Sequence, residues 1–118
     1  MVKFRFQDLE IWRLAIEIAD DLFDIADDLE KRKLYRFAEQ IRGAGMSISN
    51  NISEGSGSDS KKDFANFLNI AKRSAFENAN IIILLKRRNL ITPEKENELL
   101  EKLDKLSRKI ANLRKSLR

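Results

Sequence analysis

Thr92-Pro93-Glu94-Lys95-Glu96-Asn97-Glu98-Leu99-Leu100-Glu101-Lys102-Leu103-Asp104-Lys105-Leu106-Ser107-Arg108-Lys109-Ile110-Ala111-Asn112-Leu113-Arg114-Lys115-Ser116-Leu117 is the stretch that decides the fold. A threonine followed by proline is a strong helix start, because the hydroxyl caps a free backbone N–H and proline suits the first helical position. Leu99, Leu103, Leu106, Ile110, Leu113 and Leu117 then recur in alternating steps of four and three. That spacing puts them on one face of a helix, and such a face must be buried against other helices.

The same rhythm extends upstream. Phe64, Leu68, Ala71, Ala75, Asn78, Ile82 and Leu85 mark a third helix, with Asn78 as its polar exception. Ser60 is placed to cap it, with Asp63 three residues on. It ends near Arg88, where Asn89-Leu90-Ile91 turns the chain. Leu34, Ala38, Ile41, Gly45, Ile48 and Ile52 predict a second helix over about Lys33–Glu54, stopped by Gly55 ahead of an exposed Ser-rich loop. Glycine inside a helix costs about 1 kcal/mol relative to alanine, so Gly43 and Gly45 imply close approach of another helix, or a kink.

A first helix over about Asp8–Leu29, with Asp8 as its cap, carries two apolar stripes. One is Leu9, Trp12, Ile16, Ala19, Phe23 and Ala26; the other is Ile11, Leu14, Ile18, Leu22, Ile25 and Leu29. A lone bundle normally needs one stripe per helix, so this helix is expected to meet a neighbouring subunit as well. Four amphipathic helices with short connections predict an all-α fold, an antiparallel up-down-up-down four-helix bundle forming a single domain over residues 1–118.

Composition excludes several chemistries. The chain has no Cys and no His. Disulfides, thiolate or imidazole metal sites, and Ser–His–Asp or Cys–His arrangements are therefore impossible within it. No glycine-rich phosphate loop is present, and a carboxylate di-metal bundle would want Glu-x-x-His motifs. The longest purely apolar run, Ile81–Leu85, falls far short of the roughly 20 residues of a membrane span. The N-terminal residues show no signal-peptide core. The expected setting is the cytoplasm, with no membrane, small-molecule substrate, cofactor or metal as partner, and no enzymatic activity.

Charge is unevenly distributed. Residues 1–30 hold three cations against nine acids, a net −6, so a chain of net +4 carries +10 over the remainder. Complementary packing between helices or subunits would explain this. So would a basic face for RNA or DNA. The candidate nucleic-acid contacts are Lys61, Lys62, Lys72, Arg73, Arg87, Arg88, Lys109, Arg114, Lys115 and Arg118. A helix C-terminus favours cations in any case, which accounts for several of them.

A polar stripe flanks the core. Gln40, Ser47, Asn51 and Glu54 share one face of the second helix, and Ser74 and Glu77 lie on the third. Three readings are open: hydrogen bonds that fix register between helices or subunits, a binding surface, or a carboxylate site using Glu54 or Glu77. The last lacks a nucleophile, a metal set and a cofactor motif.

Several of these elements carry a resemblance. Phe6-Gln7-Asp8-Leu9-Glu10-Ile11-Trp12, Gln40-Ile41-Arg42, Ser47-Ile48-Ser49-Asn50-Asn51-Ile52-Ser53-Glu54-Gly55, Phe67-Leu68-Asn69-Ile70-Ala71 and Ser74-Ala75-Phe76-Glu77 stand in this order. In order and spacing the chain resembles the four-helix-bundle proteins encoded in intervening sequences of bacterial 23S ribosomal RNA genes. The resemblance covers nearly the whole chain, and Asn51-Ile52-Ser53-Glu54-Gly55 after Gln40-Ile41-Arg42 is its most specific part. It implies a homo-oligomeric ring, typically a pentamer, with no established enzymatic activity. Related bundle proteins act beside reverse transcriptases and bind nucleic acid. The family usually has arginine where this chain has Gly43, glycine where it has Arg73, and often an arginine near Ser58. These departures move positive charge from the loop onto the third helix.

Overall fold

The computed structural model describes all 118 residues. A 3-10 turn, Arg5–Asp8, precedes four helices: α1 (Glu10–Lys31), α2 (Tyr35–Ser56), α3 (Lys61–Arg87) and α4 (Pro93–Ser116). There are no strands. Each helix packs on its neighbours in the order α1, α2, α3, α4 and back to α1, while the backbones of the diagonal pairs, α1 with α3 and α2 with α4, stand farther apart. The helices thus occupy the corners of a square, and the result is a four-helix bundle. Residue pairings show that neighbours run antiparallel. Arg42 meets Asp27, Ser47 meets Ser74, Arg114 reaches Ala65, and Lys109 meets Glu10. At 1.5 Å per residue α3 is about 40 Å long, close to the 44 Å long axis of the molecule.

The heptad seams are the core. Ala38, Ile41, Ile48 and Ile52 of α2, Phe64, Leu68, Ala71, Ala75, Ile82 and Leu85 of α3, and Leu99, Leu103, Leu106 and Ile110 of α4 are all buried in one apolar cluster. Leu113 and Leu117, toward the C-terminal end of α4, are only half-buried. On α1 both apolar stripes contribute to the core. The stripe with Ile11, Ile18, Leu22, Ile25 and Leu29 is buried, and so are Ala19 and Ala26 of the other. Trp12 packs against Phe6, with ring centroids 5.1 Å apart. The wide apolar arc is therefore largely used inside one chain, against α2, α4 and the N-terminal turn, and it does not by itself call for a neighbouring subunit.

The caps follow side-chain chemistry. Ser60 Oγ accepts from the Asp63 N–H and Thr92 Oγ1 from the Lys95 N–H, each at 3.1 Å. Asp8 caps nothing: it ends the 3-10 turn and pairs with Lys3 at 2.6 Å, while α1 starts after Leu9 without a side-chain cap. Gly55 does not stop α2, which runs through it to Ser56.

The α1–α2 and α3–α4 turns are built alike. In one, the Leu34 N–H reaches the Leu29 carbonyl and the Lys33 N–H that of Glu30; in the other, Leu90 reaches Leu85 and Asn89 reaches Lys86. This pairing requires a left-handed residue just past the helix. Lys33 (φ 65°) and Asn89 (φ 58°) occupy it. Asparagine tolerates that conformation, whereas lysine is strained there by its Cβ. Lys33→Gly should therefore stabilise the fold by about 0.5–1 kcal/mol, read as a higher midpoint in urea, while Asn89→Gly should change it far less.

Candidate functional site

The polar stripe divides into two sets. Ser47 Oγ and Ser74 Oγ are 2.7 Å apart across the α2–α3 contact. Asn51 Nδ2 donates to the Ser47 carbonyl at 2.8 Å. Asn78 Nδ2 donates to the Ala44 carbonyl at 2.9 Å and to that of Ser74 at 2.7 Å. The Ser47–Ser74 and Asn78–Ala44 bonds tie the two helices together at fixed register, which is the use buried polar groups most often have. Asn78 belongs to the network although its sequence position read as core. Its Oδ1 is buried without a hydrogen-bond partner.

Gln40, Glu54 and Glu77 stand outside this network, exposed to solvent. Glu54 borders a shallow recess between the N-terminal segment and the end of α2, with Phe4, Arg5, Phe6, Asn50 and Ser53. Glu77 lies mid-helix on the outside of α3. The two carboxylates share no cleft, and no three acidic side chains are placed to hold a metal ion.

Charge is arranged by helix packing. Lys95, Lys102 and Lys109 recur every seven residues along α4 and face the acids of α1. Lys109 lies 2.8 Å from Glu10; Lys102 lies 3.2 Å from Glu17 and 3.0 Å from Asp21; Lys95 lies 3.7 Å from Asp21. On the other side Arg42 of α2 reaches Asp27 at 2.7 Å and Glu30 at 3.3 Å. Much of the asymmetry between the acidic and basic halves is thus complementarity between adjacent helices. Two candidate nucleic-acid contacts are used in this way: Lys109 in its ion pair, and Arg114, half-buried, whose Nε donates to the Ala65 carbonyl at 3.2 Å.

These pairs set a pH dependence. Hydrogen bonding and charge from Lys109 hold Glu10 below its ordinary 4.5, and Lys3 does the same for Asp8, ordinarily 3.8. Their contribution is complete above those ordinary values and is lost as pH falls through the lowered ones. Asp21, then Glu17, raise Lys102 above its ordinary 10.5. Its contribution is complete below 10.5 and is lost only in stronger alkali. With no His to titrate between, urea midpoints should stay level from about pH 6 to pH 9.5 and fall on both sides. A step near pH 6.5 would contradict this.

The remaining candidate cations are free. Lys61, Lys62, Lys72, Arg73, Arg87, Arg88, Lys115 and Arg118 form no ion pair; all but the half-buried Lys72 are exposed. Arg87 and Arg88 sit at the end of the bundle where both turns of the kind above lie, linked by Arg32 Nη2 donating to the Leu90 carbonyl at 3.3 Å. Exposed Lys31, Lys33 and Arg36 join them there. Lys31-Arg32-Lys33 with Arg36 is a visible run in the sequence, but it stands apart there from the other cations. What brings it beside Arg87 and Arg88 is the antiparallel return of α3.

Large exposed apolar side chains are absent from α1; Phe4, Tyr35 and Met46 are exposed on the N-terminal segment and α2, and four are exposed on α3. Ile70, Phe76, Ile83 and Leu84 are 42%, 63%, 42% and 46% exposed. Asn69, Lys72, Arg73 and Phe76 enclose a shallow recess on this outer face.

Comparison with known proteins agrees with this architecture. The family model for the 23S rRNA-intervening sequence protein matches residues 7–112. The crystal structure of a protein with unknown function from the S23 ribosomal protein family of Bacteroides thetaiotaomicron superposes with a TM-score of 0.83 at 27% sequence identity. The match covers 89% of this chain and 98% of that one. No curated protein matches significantly.

Proposed function

The chain belongs to the 23S rRNA-intervening sequence protein family, and from that premise we propose that it is a non-enzymatic structural subunit, assembling in the cytoplasm with copies of itself into a closed ring of five. The observation that carries this reading is the outer face of α3, where four large apolar side chains remain exposed after the bundle has formed its own core. A face of this kind favours association, since burying apolar area is the main driving force for it. The carboxylates Glu54 and Glu77 are too scattered to form a reaction site, which supports a scaffold over a catalyst. Light scattering on the purified chain at tens of micromolar should report a mass five times that of one chain. A monomer at that concentration would overturn the assembly reading.

A second reading, an accessory protein that binds RNA or DNA, is favoured by the cations gathered at the turn end of the bundle: Lys31, Lys33, Arg36, Arg87 and Arg88. Phosphate contacts release counterions, so such binding must weaken steeply with salt. Fluorescence anisotropy with a single-stranded and a duplex RNA at low salt tests it. Reversing Arg87 and Arg88 to glutamate should abolish the signal. Lys109 and Arg114 are poor probes, because both hold α4 to its neighbours. No binding at low salt would end this reading.

A further inference from the structure

We infer that the outer face of α3 docks on the outer face of α1 of a second copy, in a head-to-tail contact; this rests on the assembly reading above and specifies its surface. The argument begins with charge that the single chain leaves unbalanced. On α1, Asp20 and Asp24 are exposed and meet no cation, although Glu17, Asp27 and Asp28 lie three or four residues away along the same helix. Those three neighbours are paired with Lys102, Arg42 and Arg32, so Asp20 and Asp24 are the acids of this helix face left without a cation. On α3, Lys72 and Arg73 meet no carboxylate, and Arg87 and Arg88 continue the positive charge to its end.

Apolar groups accompany both charges. Lys72 and Arg73 flank the recess that contains Phe76, with Ile70 and Ile83 one to two turns away. On α1, half-buried Ile16 and Phe23 lie beside Asp20 and Asp24. An acidic ridge with apolar side chains beside it thus matches a basic recess bordered by Phe76. Two α3 faces brought together would juxtapose arginines and lysines, and two α1 faces would juxtapose carboxylates. Only α3 against α1 is attractive. Because α1 and α3 are a diagonal pair of the bundle, every copy presents one face of each kind on opposite sides. Repetition of such a heterologous contact yields a ring where the rotation closes.

A nucleic acid fits this face less well than a second copy: Ile70, Ile83 and Leu84 gain nothing from phosphates, whereas they can be buried against another protein surface.

Charge exchange followed by light scattering tests the contact. K72E/R73E and D20K/D24K should each weaken assembly by at least about tenfold, since juxtaposing like charges costs several kcal/mol, while circular dichroism stays helical. The chain carrying all four substitutions should recover assembly. An equimolar mixture of the two double variants should assemble by alternation although neither assembles alone, and a closed ring of five, which cannot alternate throughout, should not form. Phe76→Ala, at a site 63% exposed, should weaken assembly without lowering the unfolding midpoint of the dilute chain, and it keeps the test open if a charge variant fails to fold. A wild-type assembly that both double variants reproduce, or a helical quadruple variant that stays monomeric, overturns this surface and leaves the ring reading standing. A monomeric wild-type chain overturns both.

Discussion

Alanine at Gly55 should destabilise the bundle by about 2 kcal/mol, whereas alanine at Gly43 should stabilise it by about 1 kcal/mol. Both glycines lie within α2, and alanine is the better helix former at either by about 1 kcal/mol. What differs is the surroundings. A Cβ on Gly55 would stand 2.5 Å from the Cβ of Phe67, with Phe64 Cδ1 at 3.1 Å and Phe67 Cγ at 3.2 Å. The Phe67 Cβ is fixed to the α3 backbone and cannot rotate away. The two helices would have to separate where the loop holds them closest, and overpacking of this kind costs about 1–3 kcal/mol or somewhat more. A Cβ on Gly43 would meet nothing within 4 Å. Gly45 is intermediate: its nearest neighbour is Leu22 Cδ1 at 3.3 Å, the end of a flexible side chain. Gly45→Ala should fall within about 1 kcal/mol of the parent. Urea unfolding of the three variants measures all of this. Equal effects at Gly43 and Gly55 would show that α2 and α3 do not approach at Gly55 as described.

That series marks where sequence reasoning stops. The three glycines are visible in the sequence, and so is the argument that a helical glycine needs a reason. Which one has the reason depends on Phe64 and Phe67, which α3 brings back against α2. The caps at Ser60 and Thr92 were legible because donor and acceptor lie three residues apart. The seams of α2, α3 and α4 were legible because a period of 3.6 fixes which side chains share a face. For α1 the same period correctly gave a broad apolar arc, but it carries no information on what covers the arc. The covering came from within the chain: the N-terminal turn packs Phe6 on Trp12, and Phe23 lies 3.7 Å from the Cβ position of Gly45. On α3, Ile70 and Leu84 looked like ordinary variation beside a well-formed seam. Their exposure emerged only once the two neighbours of that helix were in place. The polar stripe shows both sides of this boundary. Ser47 and Asn51 could be seen to share a face, but the pairing of Ser47 with Ser74 required the antiparallel register of α2 and α3.

Leu68→Ala and Leu84→Ala remove the same atoms from the same helix and should give the most widely separated outcomes. Leu68 is fully buried in the centre of the α3 seam, and Leu84 is 46% exposed on the opposite side. Truncating a fully buried leucine forfeits its transfer free energy and leaves a cavity between helices that close only in part, costing about 2–5 kcal/mol. For a chain of 118 residues that is a large share of the roughly 5–15 kcal/mol typical of folded domains. Truncating Leu84 should cost the dilute chain no more than about 0.5 kcal/mol, as for other surface positions. Its effect should appear on assembly instead: as protein concentration rises, the parent should gain stability by mass action, and Leu84→Ala should gain less. Urea midpoints at low and high protein concentration separate the two contributions. A concentration-independent loss for Leu84→Ala as large as that for Leu68→Ala would mean that the outer face of α3 is covered within a single chain. The case for a second copy on that face would then be lost, while the bundle core would stand unchanged.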